Sequence, residues 1–272
     1  MGRSKEIAFV GSGQMGDALI RGLLEAGFCK AEQIIASDVR QERLEEMRGR
    51  YGIEVTSHNA ELPVESQTLI LAVKPQDISS VLSEVKPLVG EGHLVISIAA
   101  GVPVSYLEAR LNEGARVIRV MPNMPCLLKV GCSALSGGRF ATREDMDRAK
   151  TMFRSVGEVV EVEEKWMDLV TGLSGSGPAY VFLFAEALME AGVRLGLSRA
   201  VARTLVCHTL KGASEMLLAS EAHPAELKDR VSSPGGTTLA GLAELEKGAF
   251  RWLLFQAVDK AAQRSKELAQ AL

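Results

Sequence analysis

A short apolar run, Ile7-Ala8-Phe9-Val10, leads directly into Gly11-Ser12-Gly13-Gln14-Met15-Gly16, and an amphipathic stretch follows from Met15 to Ala26. Strand, three spaced glycines and helix in that order restrict the fold more than any other feature of the chain. Gly11 permits a tight turn. Gly13 removes the side chain that would block close approach of a pyrophosphate, and Gly16 lets the helix pack near the strand. The unpaired N–H groups and positive dipole end of that helix then hold phosphate charge. The loop from Gly11 through Ser12, Gln14 and Met15 to Gly16 is therefore expected to bind a dinucleotide.

The next 150 residues repeat the alternation. Gln33–Ser37, Thr68–Val73, His93–Ala99 and Arg116–Met121 read as further strands, separated by amphipathic stretches at Glu42–Arg50, Gln76–Val85 and Val104–Leu111. Strands joined through helices must run parallel, so the spacing predicts a doubly wound, mostly parallel α/β sheet of Rossmann type, covered on both faces. Weaker periodicity places edge strands at Ser133–Leu135 and Glu158–Val162 around a helix at Arg143–Ser155.

After Trp166 the strand signals stop, and Ala, Leu, Glu and Met dominate long helical segments. Residues 1–162 are thus expected to form the dinucleotide-binding domain and residues 163–272 an all-α C-terminal domain. Ala179–Leu195 and Arg199–Ala219 carry apolar residues on more than one face, which a small helical domain cannot hide by itself. A homo-oligomer formed through this half is expected.

Asp38 ends the second strand about 20 residues beyond the last loop glycine, where an acidic side chain accepts hydrogen bonds from the adenosine ribose and favours NAD. Ser37 and Arg40 offer the same corner a hydroxyl and a guanidinium suited to a 2′-phosphate, unless Arg40 points to solvent from the following helix. Use of both NADH and NADPH is expected.

Composition narrows the partners to small molecules. Lys and Arg number 31 against 34 Asp and Glu, with no basic cluster and only 5% aromatic residues, so neither nucleic acid nor an anionic membrane surface has an evident footing. No stretch reaches the ~18 apolar residues of a membrane span, and the N-terminus lacks a signal-peptide core, so a cytoplasmic protein is expected. Cys29, Cys126, Cys132 and Cys207 show no C-x-x-C spacing, and His58, His93, His208 and His223 are dispersed. No catalytic metal is expected.

Three further segments are specific in combination: Arg119-Val-Met-Pro-Asn-Met-Pro125, Leu173-Ser-Gly-Ser-Gly-Pro-Ala-Tyr180 and Val231-Ser-Ser-Pro-Gly-Gly-Thr-Thr238. Together with Ala72-Val73-Lys74-Pro75, Ser97-Ile-Ala-Ala-Gly101 and Ala240-Gly-Leu-Ala-Glu-Leu-Glu246, they resemble the pyrroline-5-carboxylate reductase family over nearly the whole chain. The resemblance implies reduction of the cyclic imine 1-pyrroline-5-carboxylate to L-proline with NAD(P)H, the last step of proline synthesis. It also implies a homodimer intertwined through the helical half and able to assemble further. By the same resemblance Ser37 sits at the adenosine end, Asn59 near the adenine, Val73, Lys74 and Pro75 along the cofactor, and Ala99 and Ala100 close to the nicotinamide. Ser233, Gly235, Gly236, Thr237 and Thr238 hold the substrate carboxylate, with Ser233 and Thr238 as the catalytic pair and Thr238 at the imine nitrogen. Glu164 falls where the family contacts the substrate pocket, although Glu163-Glu164-Lys165 also reads as a solvated helix start. The departure from the family pattern is Asp38 beside Ser37.

The implied chemistry asks little of the protein. A protonated imine is already electrophilic, so orientation of two reactants and one hydrogen-bonding partner for the nitrogen suffice, without a nucleophile or metal. The segment Pro234-Gly235-Gly236 ahead of a helix near Thr237 makes an anion nest for a carboxylate, while a turn with Thr238 as helix cap is the bland alternative. Gly172 to Gly177 reads as a pocket wall, or as close packing with Ser174 or Ser176 as a cap. The rival enzyme class, 3-hydroxyacid dehydrogenases, places a catalytic lysine where this chain has Val181, and so lacks its base here. A nucleotide sensor without catalysis is the second rival.

Overall fold

The computed structural model describes residues 5–62 and 66–270. The first element is β1 (Ile7–Val10), and the loop after it opens α1 (Gln14–Glu25). There follow β2 (Ile34–Ser37), α2 (Gln41–Tyr51), β3 (Glu54–Thr56), β4 (Thr68–Leu71), α3 (Ile78–Val85), β5 (Leu94–Ser97), α4 (Val104–Arg110) and β6 (Arg116–Met121). After these come β7 (Gly131–Gly137), α5 (Arg143–Arg154) and β8 (Gly157–Glu161). The sheet runs in the order β3-β2-β1-β4-β5-β6-β7-β8. Only β7 runs against its neighbour β6, and β8 is parallel to β7. Strand order reverses between β1 and β4, the topological switch of a doubly wound sheet.

Alternation along each strand explains the two covered faces. Ile7 and Phe9 of β1 pack with Leu19 and Leu23 of α1, Met47 of α2 and Phe153 of α5. Ala8 and Val10 pack on the other side with Ile78 and Leu82 of α3 and Leu107 of α4. Strands buried on both faces read as continuous apolar runs, which is why β1, β2, β4 and β5 stand out in the sequence. By contrast β3, three residues with Glu54 exposed at the sheet edge, has no apolar run to announce it.

The remainder is helical: α6 (Met167–Val170), a π-helical turn over Thr171–Gly175, α7 (Gly177–Arg194), α8 (Arg199–Ala219), α9 (Pro224–Arg230), α10 (Thr237–Lys247) and α11 (Phe250–Gln270). By packing, the chain forms two compact units, one of residues up to Ser176 together with those from Asp259 onward, the other Gly177–Val258. The end of α11 belongs to the first unit because it packs at Gly101, where a Cβ would stand 3.3 Å from the Ser265 carbonyl, and because Ser265 Oγ donates to Asp168 at 2.7 Å.

Within the second unit, α7 has no buried residue and α8 only Ala202. Phe182, Leu183, Leu205, Leu218 and Phe255 are all more than half exposed. Among the described residues no helix is long and apolar enough to cross a membrane.

Candidate active site

Val10, Ser37, Leu71 and Ser97 stand side by side at the carboxyl ends of β1, β2, β4 and β5. Parallel register therefore delivers the segments beginning at Gly11, Asp38, Ala72 and Ile98 to one edge of the sheet. The cofactor residues expected from the sequence lie on these segments except Ser37, the last residue of β2, and Asn59, which a 3₁₀ turn at Asn59–Glu61 brings to Ser37.

The glycine loop is built as a cradle. Gly11 has φ +91°, and a Cβ there would lie 2.7 Å from the Ala72 carbonyl oxygen. A Cβ at Gly16 would lie 2.8 Å from the Gly11 carbonyl oxygen, so the helix starts tight against the turn. Gly13 differs, since nothing lies within 4 Å of its missing Cβ. It is the N-cap of α1 and offers no side-chain hydrogen bond to the helix start. The Asp17 N–H is bonded back to the Gly13 carbonyl at 2.9 Å, which leaves the N–H groups of Gln14, Met15 and Gly16 without an intrahelical acceptor. Open space before a set of unpaired donors at a helix start fits a pyrophosphate.

At the end of β2 Asp38 collects donors. Its Oδ2 accepts from the Ser12 N–H at 3.0 Å and the Ser12 hydroxyl at 3.1 Å, and its Oδ1 from the Arg40 N–H at 3.0 Å and Arg40 Nε at 3.1 Å. Burial pushes the carboxyl upward, but the hydrogen bonds from Arg40 and Ser12 outweigh it and hold Asp38 below its ordinary value. The buried Ser37 hydroxyl donates to Asn59 Oδ1 at 2.6 Å, and Asn59 Nδ2 donates to Glu84 at 2.8 Å. Val73 abuts Gly11, Lys74 caps a 3₁₀ turn at Pro75–Asp77, and Ala99 is buried, its N–H receiving the Ser97 hydroxyl as acceptor at 3.3 Å. Ala100 is half-buried ahead of Gly101.

Glu164 is part of a partly buried ionic cluster around the buried Arg119. Its Oε1 accepts from the Val104 N–H at 3.0 Å, at the start of α4, and from Arg119 Nη1 at 2.8 Å. The other guanidinium nitrogen, Arg119 Nη2, stands 3.6 Å from Asp168 Oδ1. Close by in sequence, the π-helical turn over Thr171–Gly175 is followed by Ser176 and then α7. Ser174 Oγ accepts from Asn123 Nδ2 at 3.2 Å, and a Cβ at Gly175 would overlap Met121, so the turn is fitted to the end of β6.

Ser233 to Thr238 lie in the second compact unit. Gly235 has φ +69°, the Gly236 N–H donates to the Ser233 carbonyl at 2.9 Å, and a Cβ at Gly236 would overlap the Ser233 hydroxyl. Gly236, not Thr238, is the N-cap of α10, and no side chain caps the helix. Thr237 and Thr238 occupy its first turn with their N–H groups unpaired within the helix.

Several contributors carried no local signal. Arg43 donates through Nε to the Ser12 carbonyl at 2.5 Å and pairs with Asp17 at 2.8 Å, bracing the glycine loop from α2. Arg119 is a lone charge inside the apolar run Val117-Ile118-Arg119-Val120, an anomaly that marks a buried ion but not its partner. Among the described residues no three or more His, Cys, Asp or Glu come together as metal ligands. Burial pushes the Cys29 thiol up to about 11 and raises those of Cys126 and Cys132.

Residues 164–268 match the family model described as pyrroline-5-carboxylate reductase dimerisation, and residues 6–101 that of NADP oxidoreductase, coenzyme F420-dependent. The chain is 47% identical over 265 residues to a pyrroline-5-carboxylate reductase of Methanosarcina acetivorans, covering 97% of this chain and 98% of the relative. A Plasmodium falciparum pyrroline carboxylate reductase structure with NADP bound matches with a TM-score of 0.88 at 36% identity, covering 99% of each chain. The Coxiella burnetii pyrroline-5-carboxylate reductase structure matches with a TM-score of 0.91 at 34% identity, over 98% of this chain and 99% of that one. With a doubly wound sheet, a glycine cradle and a helical half that match throughout, the chain belongs to the pyrroline-5-carboxylate reductase family.

Proposed function

We propose the following account of catalysis. The chain is an oxidoreductase that reduces 1-pyrroline-5-carboxylate to L-proline with NAD(P)H, the last step of proline synthesis. When bound, the reduced nicotinamide supplies the hydride that adds to the imine carbon. Gly11 to Gly16 hold the pyrophosphate, Ser37, Asp38 and Asn59 the adenosine end, Val73, Lys74 and Pro75 the middle, and Ala99 and Ala100 the nicotinamide end. Residues 1–162 thus carry the cofactor, and residues 163–272 carry the substrate and the dimer contact.

The observation that carries the substrate assignment is the uncapped start of α10. Gly235 in the left-handed region and Gly236 at the N-cap leave the first N–H groups of the helix to an outside acceptor, which suits the substrate's carboxylate. Thr238, half-buried in that first turn, hydrogen-bonds the imine nitrogen and places it for proton delivery, assisted by Ser233. Its hydroxyl is a weak acid, so its effect on rate is that of positioning or relay, on the order of 10²-fold. Glu164 orders the substrate side through Val104 and Arg119. The exposed apolar faces of α7, α8 and α11 are covered in a homodimer, and dimers assemble further, in the cytoplasm.

Loss of NAD(P)H absorbance on adding the cyclic imine tests the reading. Turnover with the imine supports it. Cofactor binding without turnover means a nucleotide sensor, and turnover with 3-hydroxyacids alone means a dehydrogenase.

A further inference from the structure

Along its whole length α11 is exposed or half-buried except at one residue, and that residue is polar: Ser265, only 3% exposed. A buried hydroxyl costs stability unless it is hydrogen-bonded, so packing alone favours alanine at such a position. The Ser265 hydroxyl donates to Asp168 Oδ1 at 2.7 Å, and this bond belongs to a closed circuit. Asp168 Oδ1 stands 3.6 Å from Arg119 Nη2, Arg119 Nη1 donates to Glu164 Oε1 at 2.8 Å, and that oxygen accepts from the Val104 N–H at 3.0 Å. Just before Val104 in the chain, Gly101 meets the backbone of α11 at Ser265 and completes the circuit. We propose that Ser265 is a positioning residue for hydride transfer: its bond to Asp168 seats the end of α11 on Gly101 and so fixes the Ala99-Ala100-Gly101 loop against the nicotinamide. The inference rests on the assignment of that loop to the nicotinamide end and adds the element that holds it there.

The loop needs holding from outside. Within it the Ala99 N–H reaches the Ser97 hydroxyl at 3.3 Å and the Val102 N–H reaches the Ala99 carbonyl at 3.4 Å, both long bonds. Gly101 is buried at φ +72°, and α11 lies where its side chain would be: a Cβ there would stand 3.3 Å from the Ser265 carbonyl oxygen and 3.5 Å from the Leu268 Cβ. The loop is thus covered by α11 at Gly101 and tied through Val104 to Glu164 at its exit. Asp168 and Glu164 both face Arg119, so the two holds meet at one guanidinium whose side chain is buried and has little freedom to move. Hydride transfer is sensitive to such support, since a displacement of about 1 Å that originates far from the reacting atoms can cost about 10²-fold in rate. The pyrophosphate and adenosine segments, which begin at Gly11 and Asp38, lie outside the circuit, so loosening it should leave them in place.

Ser265→Ala in the full-length chain removes the bond and little volume. Three readouts separate positioning from general support: kcat with the cyclic imine, the fluorescence emission of bound NADH and NADPH, and the dissociation constant of ADP-ribose, which lacks the nicotinamide. In the folded variant kcat should fall about tenfold, a part of what misplacement can cost. Nicotinamide emission should move toward that of the free cofactor, while ADP-ribose should bind as tightly as to wild type. Asp168→Ala should reproduce these changes, and the double variant should be no worse than Asp168→Ala alone. Unchanged kcat and emission in Ser265→Ala overturn the inference, as does a parallel loss of ADP-ribose affinity or an additive loss in the double variant. Wild type that binds cofactor but leaves the imine unreduced ends the reductase reading, and the emission and ADP-ribose measurements then uphold or overturn the positioning role by themselves.

Discussion

The guanidinium of Arg119 and the carboxylate of Glu164, 45 residues apart in sequence, meet at 2.8 Å, and the same carboxylate oxygen accepts from the Val104 N–H at the start of α4. With Asp168 Oδ1 3.6 Å from the other terminal nitrogen of the same guanidinium, one cation faces two carboxylates. Arg119→Met leaves those two anions facing each other and should lower stability by about 3 kcal/mol, the low end for a broken buried pair because Glu164 is one-third exposed. Adding Glu164→Gln should recover part of the loss. A urea-unfolding double-mutant cycle measures the coupling, and additive losses would mean the pair is independent.

Gly11 and Gly13 should separate stability from binding. Gly11→Ala forces a side chain onto φ +91° and against the Ala72 carbonyl, costing about 1–3 kcal/mol and lowering Tm. Gly13→Val meets open space, so Tm should hold while NAD(P)H affinity collapses. Near-normal affinity in Gly13→Val would make the loop a structural turn only.

Thr238→Ala should lower kcat by on the order of 10²-fold while sparing the dissociation constant for NAD(P)H. An unchanged kcat removes the hydroxyl from the mechanism.

Asp17 gives a pH signature. Burial raises its carboxyl, but hydrogen bonds from Tyr51 and Arg43 and the charges of Arg43 and Arg50 bring it below 3.8. A carboxyl lowered by folding stabilises the protein above its unfolded value, about 3.9, and this contribution fades as pH falls through the folded value. The urea midpoint of Asp17→Asn should therefore lie below wild type by a constant amount from pH 7 to 5, begin to approach it below about pH 4 and meet it only once pH has fallen below the folded value. A gap that persists in acid would assign the effect to shape, not charge.

Leu183→Glu on α7 places a charge on an exposed apolar face. Light scattering should report a smaller particle than wild type. Unchanged mass would move the subunit interface elsewhere.

Much of this was legible from the residues. Ile7–Val10 and Thr68–Leu71 announce themselves as apolar runs because both their faces are covered, whereas Glu54–Thr56, half in water at the edge, does not. The sequence pattern carried β4 on to Val73, but Ala72 and Val73 turn aside to meet Gly11, a contact with no local signature. Asp38 is recognisable by type and position, yet its hold on Ser12, 26 residues earlier, depends on strand register. Arg119 reads as an anomaly in a strand, while Glu164 and Asp168 reach it only through the fold. The Pro234-Gly235-Gly236 bend is legible as a glycine turn before a helix, and the structure adds that no side chain caps that helix, while the substrate it is proposed to hold came from resemblance alone.

The return of Asp259–Gln270 to the glycine at position 101 bears on synthesis. A nascent chain can lay down every strand of the sheet well before residues 259–270 are made, yet the sheet-bearing unit lacks its contact at Gly101 until they are. Synthesis of that late segment, rather than completion of the sheet, supplies the packing that finishes the unit.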